Sequence, residues 1–209
     1  MSRLGIISLS LFFLLIITNI NAKDNLEFFI NSGINLPSSS EELGKHWDPG
    51  FLIGGGIGYK VFNDAFIFSN FNYSQFSFNG KPLSYIVIPE VRILDVIGEE
   101  SKVFDFSVGL KFQRLQFDSF IYPYFLTSIG YIKYKVGKVC ELSEDLINSP
   151  GLINCSTHYG YTQNDYFTKV GMGFNTKLED DRYLFCESNF IFPFKGNLSI
   201  ILKLGIKFF

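Results

Sequence analysis

Hydrophobic and polar residues alternate along most of this chain. In VFDFSVGLKFQ, residues 103–113, Phe104, Phe106, Val108, Leu110 and Phe112 share one side. Asp105, Ser107, Gly109, Lys111 and Gln113 share the other. Strand side chains point to opposite faces in turn, so a period of two predicts a strand with one apolar and one polar face. The last segment repeats the pattern: Leu198, Ile200, Leu202, Leu204, Ile206 and Phe208 oppose Ser199, Lys203, Gly205 and Lys207. In YFTKVGMGFNTK, Tyr166, Thr168, Val170, Met172 and Phe174 oppose Lys169, Gly171, Gly173, Asn175 and Lys177. Eight such segments are predicted, over about 25–36, 50–62, 65–78, 103–115, 121–137, 165–177, 182–192 and 197–209. No segment after Ala22 has a helical period.

The connections alternate in length. Asn63-Asp64, Gln116 to Phe120 and Leu178 to Asp181 are tight. Pro37 to Pro49, Asn79 to Lys102 and Lys138 to Asn164 are long, while Pro193 to Gly196 is short and breaks the series. Long strands joined alternately by short turns and long loops are the pattern of a barrel that crosses a membrane, because backbone groups in lipid must pair within a closed sheet. The fold expected is all-β: an eight-stranded antiparallel up-and-down transmembrane β-barrel. Its apolar faces meet lipid and its polar faces meet inside. The interior set is then Glu27, Asp105 and Glu187 with Lys111, Lys169 and Lys203, three carboxylates against three ammonium groups. Eight strands leave an interior just wide enough for side chains, so balanced charges there are expected to pair and plug the lumen.

Composition sharpens this picture. Phe contributes 25 residues and Tyr 11 against a single Trp, and the aromatic share of 18 % equals the charged share. Aromatic side chains collect at the two membrane–water interfaces. Candidates for such girdles are Tyr59, Phe62, Phe66, Tyr73, Tyr122, Tyr131, Tyr134, Tyr166, Phe192 and Phe208. With 18 basic and 20 acidic residues, there is no basic excess to neutralise nucleic-acid phosphates. The first 22 residues, MSRLGIISLSLFFLLIITNINA, read as a cleaved signal peptide: Arg3, an apolar run, then Ile20 and Ala22 before the cut. The mature domain expected is 23–209, in an oxidising compartment. Cys140 and Cys155 bracket a polar stretch, and a disulfide there would close a loop of about 15 residues, worth about 3 kcal/mol. Three unpaired thiols are the alternative, and Cys186 is left over in either case.

The chain ends in LKLGIKFF and contains IGGGIGYKV (53–61) and YPYFLTSIGYIKY (122–134). In these it resembles the OmpA/OmpX-like group of eight-stranded outer-membrane β-barrels, the porin-family barrel-domain proteins. The resemblance covers the whole mature chain. It implies an outer membrane of a Gram-negative-type bacterium, outer-membrane lipid and the barrel-insertion machinery as partners, and Phe208 and Phe209 as the C-terminal insertion signal. One departure stands out. Phe208 lies on the apolar face, whereas the terminal Phe209 falls in register with Lys203 and Lys207.

Little in the chain points to catalysis. The glycine run at Gly54 to Gly58 lacks the spacing and Lys-Ser/Thr of a phosphate loop and opens no helix, so it reads as relief of crowding in a strand. Ser156 and His158 lie in a long connection with no orienting acid implied. His46-Trp47 reads as a loop anchor, and Ser39 and Glu42 have capping-box spacing. No metal-ligand spacing and no cofactor motif is present, and no enzyme is expected. The segment SYIVIPEVRILDVIG, inside 79–102, is expected to extend the third and fourth barrel strands as a hairpin bending near Pro89. Connections 79–102 and 138–164 are the candidate surfaces for a partner. The function expected is structural or surface-interacting, with the lumen plugged. A small pore is the alternative, and a lipid-modifying enzyme a more distant one.

Overall fold

A computed structural model describes residues 25–38, 43, 46–62, 64–80, 91–113, 120–145, 153–179, 182–195 and 198–208. The expected leader and Phe209 lie outside the described residues, as do Ser39 and Glu42. Eight strands form a closed barrel: β1 (Leu26–Pro37), β2 (Gly50–Phe62), β3 (Ala65–Phe76), β5 (Ser101–Gln113), β6 (Ile121–Lys135), β9 (Thr162–Glu179), β10 (Arg182–Pro193) and β11 (Ser199–Phe208). Every barrel strand pairs antiparallel with its neighbours in the sequence of barrel strands, and β1 closes the ring on β11 from Phe28↔Phe208 to Pro37↔Ser199. This is the up-and-down barrel that the alternation predicts, with strand ends within a few residues of those expected.

The alternation places the faces. Leu110 and Phe112 on β5, Val170 and Met172 on β9, and Leu202 and Leu204 on β11 are exposed on the outside. The residues between them, such as Lys111, Lys169 and Lys203, are buried inside. The tight connections and both chain ends of the described barrel lie at one end, here the turn end. The long connections lie at the other, the loop end.

At the loop end the structure departs from the expectation. Three further strands, β4 (Val91–Gly98), β7 (Lys138–Asp145) and β8 (Ile153–Tyr159), form a separate sheet in the order β4-β7-β8. The long connection 138–164 is therefore a hairpin, β7 against β8. In the connection 79–102 the bend expected near Pro89 lies outside the described residues. Its strand β4 pairs with β7, from Val91↔Asp145 to Gly98↔Val139. An apolar strand rising from the barrel rim has unpaired N–H and C=O groups on both sides, and the nearby β7 hairpin offers a ready edge to satisfy them.

The interior has two parts. At the loop end an apolar cluster fills the mouth: Leu52, Phe76, Val103, Ile132, Tyr134, Phe167, Ile191 and Ile201 from the barrel, closed over by Leu43 and Trp47 from the first long connection. Phe78, Val96 and Tyr159 pack on it. Trp47 is 2 % exposed, stacks edge-on against Phe78 and Tyr159, and donates its indole N–H to the Glu99 carbonyl at 3.0 Å. Below this cluster the interior is polar.

Candidate functional site: the polar interior

The polar interior lies between the apolar mouth and the turn end, and it collects side chains from every barrel strand except β2, whose inward positions at this level are Gly54, Gly56 and Gly58. Nearest the turns, Glu27 of β1 forms an ion pair with Lys111 of β5 across the lumen. Both strands point these residues inward because each sits between exposed apolar neighbours, Phe28 beside Glu27, and Leu110 and Phe112 beside Lys111. Asn175 donates to Gln113 at 2.7 Å in the same region.

Deeper in, Glu187 of β10 is the most heavily bonded carboxylate. Its Oε2 accepts from the Tyr124 hydroxyl at 2.9 Å, and its Oε1 accepts from Asn189 at 2.8 Å. The Lys203 ammonium lies 3.6 Å from the same Oε1. Glu187 and Lys203 are direct cross-strand partners of β10 and β11, which fixes this ion pair in the barrel register. Asp105 of β5 accepts from Asn72 at 2.8 Å, and Lys169 of β9 donates to Ser107 at 2.9 Å. Glu27, Asp105, Lys111, Lys169 and Lys203 are buried and Glu187 is part-buried, and the structure joins the six into two ion pairs and four side-chain hydrogen bonds with neutral neighbours.

Two kinds of residue join the interior beyond the six expected charges. The first is Lys207, which shares the inward face of β11 but is absent from the balance of three against three. It is buried, and its ammonium sits over the rings of Tyr124 at 4.4 Å and Phe185 at 4.9 Å. The second is a set of inward aromatics. Phe66, expected in an interface girdle, is 1 % exposed and lies under the Lys111 ammonium at 4.3 Å. Tyr134, also expected at an interface, is buried in the apolar mouth. Tyr122 lies on the inward face of β6, stacked edge-on against Tyr183. The physical reason is that a desolvated ammonium is attracted to an aromatic face, so part of the aromatic excess serves the interior. Strand parity would have revealed it, since Phe66 shares a face with Asn70 and Asn72, and Tyr124 with Ser128.

Glycines make room for this network. A Cβ on Gly173 would stand 2.6 Å from the Tyr124 hydroxyl, and one on Gly58 would stand 2.7 Å from the Glu27 side chain. The run at Gly54 to Gly58 thus lies in β2 opposite crowded polar groups. A cavity of about 20 Å³ remains among Glu27, Asn31, Asn70, Lys111, Glu187 and Lys207, room for about one water.

Outside the interior, the structure joins Cys140 to Cys155 with a Cα separation of 5.5 Å. The bond runs diagonally across the β7–β8 hairpin, where Cys140 faces Thr157 and Leu142 faces Cys155. Cys186 is a free thiol on β10. Ser156 is exposed on β8 opposite Glu141, and the His158 backbone is opposite Val139. Phe208 is on the outer face, paired with Phe28 and Arg182. Among the described residues, no three His, Cys, Asp or Glu side chains converge as metal ligands.

No protein-family model matches the chain. No curated protein sequence matches it either. Solved structures do. The barrel is similar to Neisserial surface protein A at 12 % identity and a TM-score of 0.53, over 88 % of this chain and 96 % of that one. It is also similar to a major outer membrane protein of Thermus thermophilus, at 9 % identity and a TM-score of 0.51, over 88 % and 98 % of the two chains. At these identities the likeness is one of fold: the chain has the eight-stranded barrel fold of outer-membrane proteins.

Proposed function

We propose that this chain is an integral outer-membrane protein with a sealed lumen, acting structurally or through the sheet that caps its loop end, and not as an enzyme. The outer-membrane location is supported by the fold shared with Neisserial surface protein A and the Thermus protein, and by the exposed apolar outer face, which lipid would cover. The observation that carries the sealed lumen is the double closure of the interior. Ions that entered from the loop end would have to displace Leu43, Trp47 and Phe76, and then break the Glu187–Lys203 and Glu27–Lys111 pairs. Each pair is buried, and separating such charges leaves them uncompensated.

Planar-bilayer recording of the purified barrel tests this. A sealed lumen gives no steady conductance. Regular single-channel openings whose size changes in Lys111→Gln or Glu187→Gln would replace this reading with a small pore.

A further inference from the structure

The outer wall between β5 and β6 is a ladder of cross-strand pairs whose chemistry changes at one level. Rising from the turn end, the outward pairs are Phe112↔Phe125, Leu110↔Thr127, Val108↔Ile129, Phe106↔Tyr131, Phe104↔Lys133 and Lys102↔Lys135. The inward neighbours Val103, Ile132 and Tyr134 are buried, so Lys102, Lys133 and Lys135 all point out. Just below them lies an aromatic shelf. Tyr73 and Phe104 are 4.9 Å apart between ring centroids, and Tyr131 and Tyr166 are 5.9 Å apart.

Two features of this patch call for an anion. Lys102 and Lys135 are direct cross-strand partners, and like charges in that position repel. The other partners of these residues in the sheet are neutral: Gln75 for Lys102, Phe104 and Asn164 for Lys133, and Thr162 for Lys135. The acids nearest in sequence are Glu99 and Glu100, in the connection before β5. Glu99 accepts a hydrogen bond from the Lys138 backbone N–H. Counting Glu100 against the three lysines still leaves a positive patch.

The height of the patch selects the anion. From Phe112 to Lys102 the strand runs about 33 Å at about 3.3 Å per residue, and a tilt of about 40° reduces this to about 25 Å along the barrel axis. That matches the apolar band of an outer-membrane barrel, about 25 Å tall. With Phe112 at one interface, the three ammonium groups stand at the headgroup level of the opposite leaflet, where lysine stems can lie on the aromatic shelf while their charges reach outward.

We propose that Lys102, Lys133 and Lys135 bind the phosphate headgroup of an anionic lipid in the leaflet at the loop end. The proposal rests on the membrane reading above. The phosphate sits among the three ammonium groups, relieves the Lys102–Lys135 repulsion, and its acyl chains descend along Phe104, Phe106 and Tyr131.

The test uses the full barrel refolded into phosphatidylcholine vesicles, with or without one part in five of phosphatidic acid. The readout is the urea unfolding equilibrium, with native mass spectrometry for retained lipid. Phosphatidic acid is expected to strengthen folding by about fivefold per lysine, about a hundredfold for three. It should also remain as a bound adduct. K102Q/K133Q/K135Q should lose both effects, K102R/K133R/K135R should keep them, and K60Q/K177Q at the turn end should keep them too. Equal stability in the two vesicles overturns the lipid site and leaves the membrane reading intact. So does an effect that K60Q/K177Q abolishes equally, or one that inorganic phosphate reproduces without anionic lipid. Failure to insert into either vesicle removes the membrane reading and this site with it.

Discussion

At the scale of single residues, the interior is a set of desolvated charges whose value depends on their partners. Glu27 and Lys111 lie across the lumen from each other and are both buried. Removing one leaves the other charged and unpaired, at about 3–5 kcal/mol. Lys111→Met is therefore expected to lower barrel stability by about that amount, measured by urea titration in vesicles. Adding Glu27→Gln to it should recover much of the loss, because the orphaned charge is gone. A double variant as unstable as the two single losses added together would mean that the pair is not coupled. The Tyr124 hydroxyl donates to Glu187, and a hydrogen bond to a charged acceptor contributes about 1.5–3 kcal/mol. Tyr124→Phe isolates that bond while keeping the ring under Lys207. Gly173→Ala crowds the same place, since its Cβ would stand 2.5 Å from the Cys186 carbonyl oxygen and 2.6 Å from the Tyr124 hydroxyl and the ring carbon that bears it. Both substitutions should destabilise in the same sense, and Tyr124→Phe should relieve little of the Gly173→Ala cost, because the Cys186 carbonyl and the ring carbon remain in the way.

At the scale of elements, the cap and the barrel are separate sheets that meet at the apolar mouth. The β7–β8 hairpin is cross-linked by Cys140–Cys155 and pairs with β4 rather than with a barrel strand. Cys140→Ser with Cys155→Ser should remove about 3 kcal/mol from the hairpin. Limited proteolysis should then cut between 138 and 160 while heat-modifiable gel migration of the barrel is unchanged. Loss of the folded-barrel band would show that cap and barrel fold as one unit. The eight barrel strands were legible because each carries its own evidence: Phe104, Phe106 and Val108 against Asp105 and Ser107 settle both strand and face without reference to any neighbour. The capping sheet was not legible for the opposite reason. Val91–Gly98 is as apolar as a strand, but its partner lies in a different connection, and no local period encodes which of two loops will meet. The six interior charges followed from the same parity that placed the strands. Lys207, Phe66 and Tyr124 escaped because charge and aromatic content were read as separate classes. The structure stacks them, ammonium over ring.

At the scale of the whole molecule, burial is inverted: charged side chains such as Lys169 and Asp105 are buried, while Phe106, Val108, Met172 and Leu204 stand exposed. In water that arrangement would be unstable, because a continuous exposed apolar surface drives association. In a bilayer it is what the solvent demands, since hydrocarbon neither hydrogen-bonds the backbone nor solvates charge. The inversion gives a depth-dependent expectation for one strand. Val108 lies near the middle of the outward ladder on β5, and Phe104 lies near its upper limit, one rung below Lys102. Val108→Lys should cost about 2–4 kcal/mol, whereas Phe104→Lys should add only about 0–1 kcal/mol for its charge, because a lysine there reaches the headgroups. Loss of the Phe104 ring contact with Tyr73 adds a packing cost, which Phe104→Gln measures separately. The comparison is therefore the lysine cost beyond that of glutamine at each site, measured by reversible urea unfolding in phosphatidylcholine vesicles. A large excess at 108 with a small one at 104 fixes the hydrocarbon layer against this wall. Equally small excesses would mean that both positions meet water, and the hydrocarbon layer would not lie against this wall.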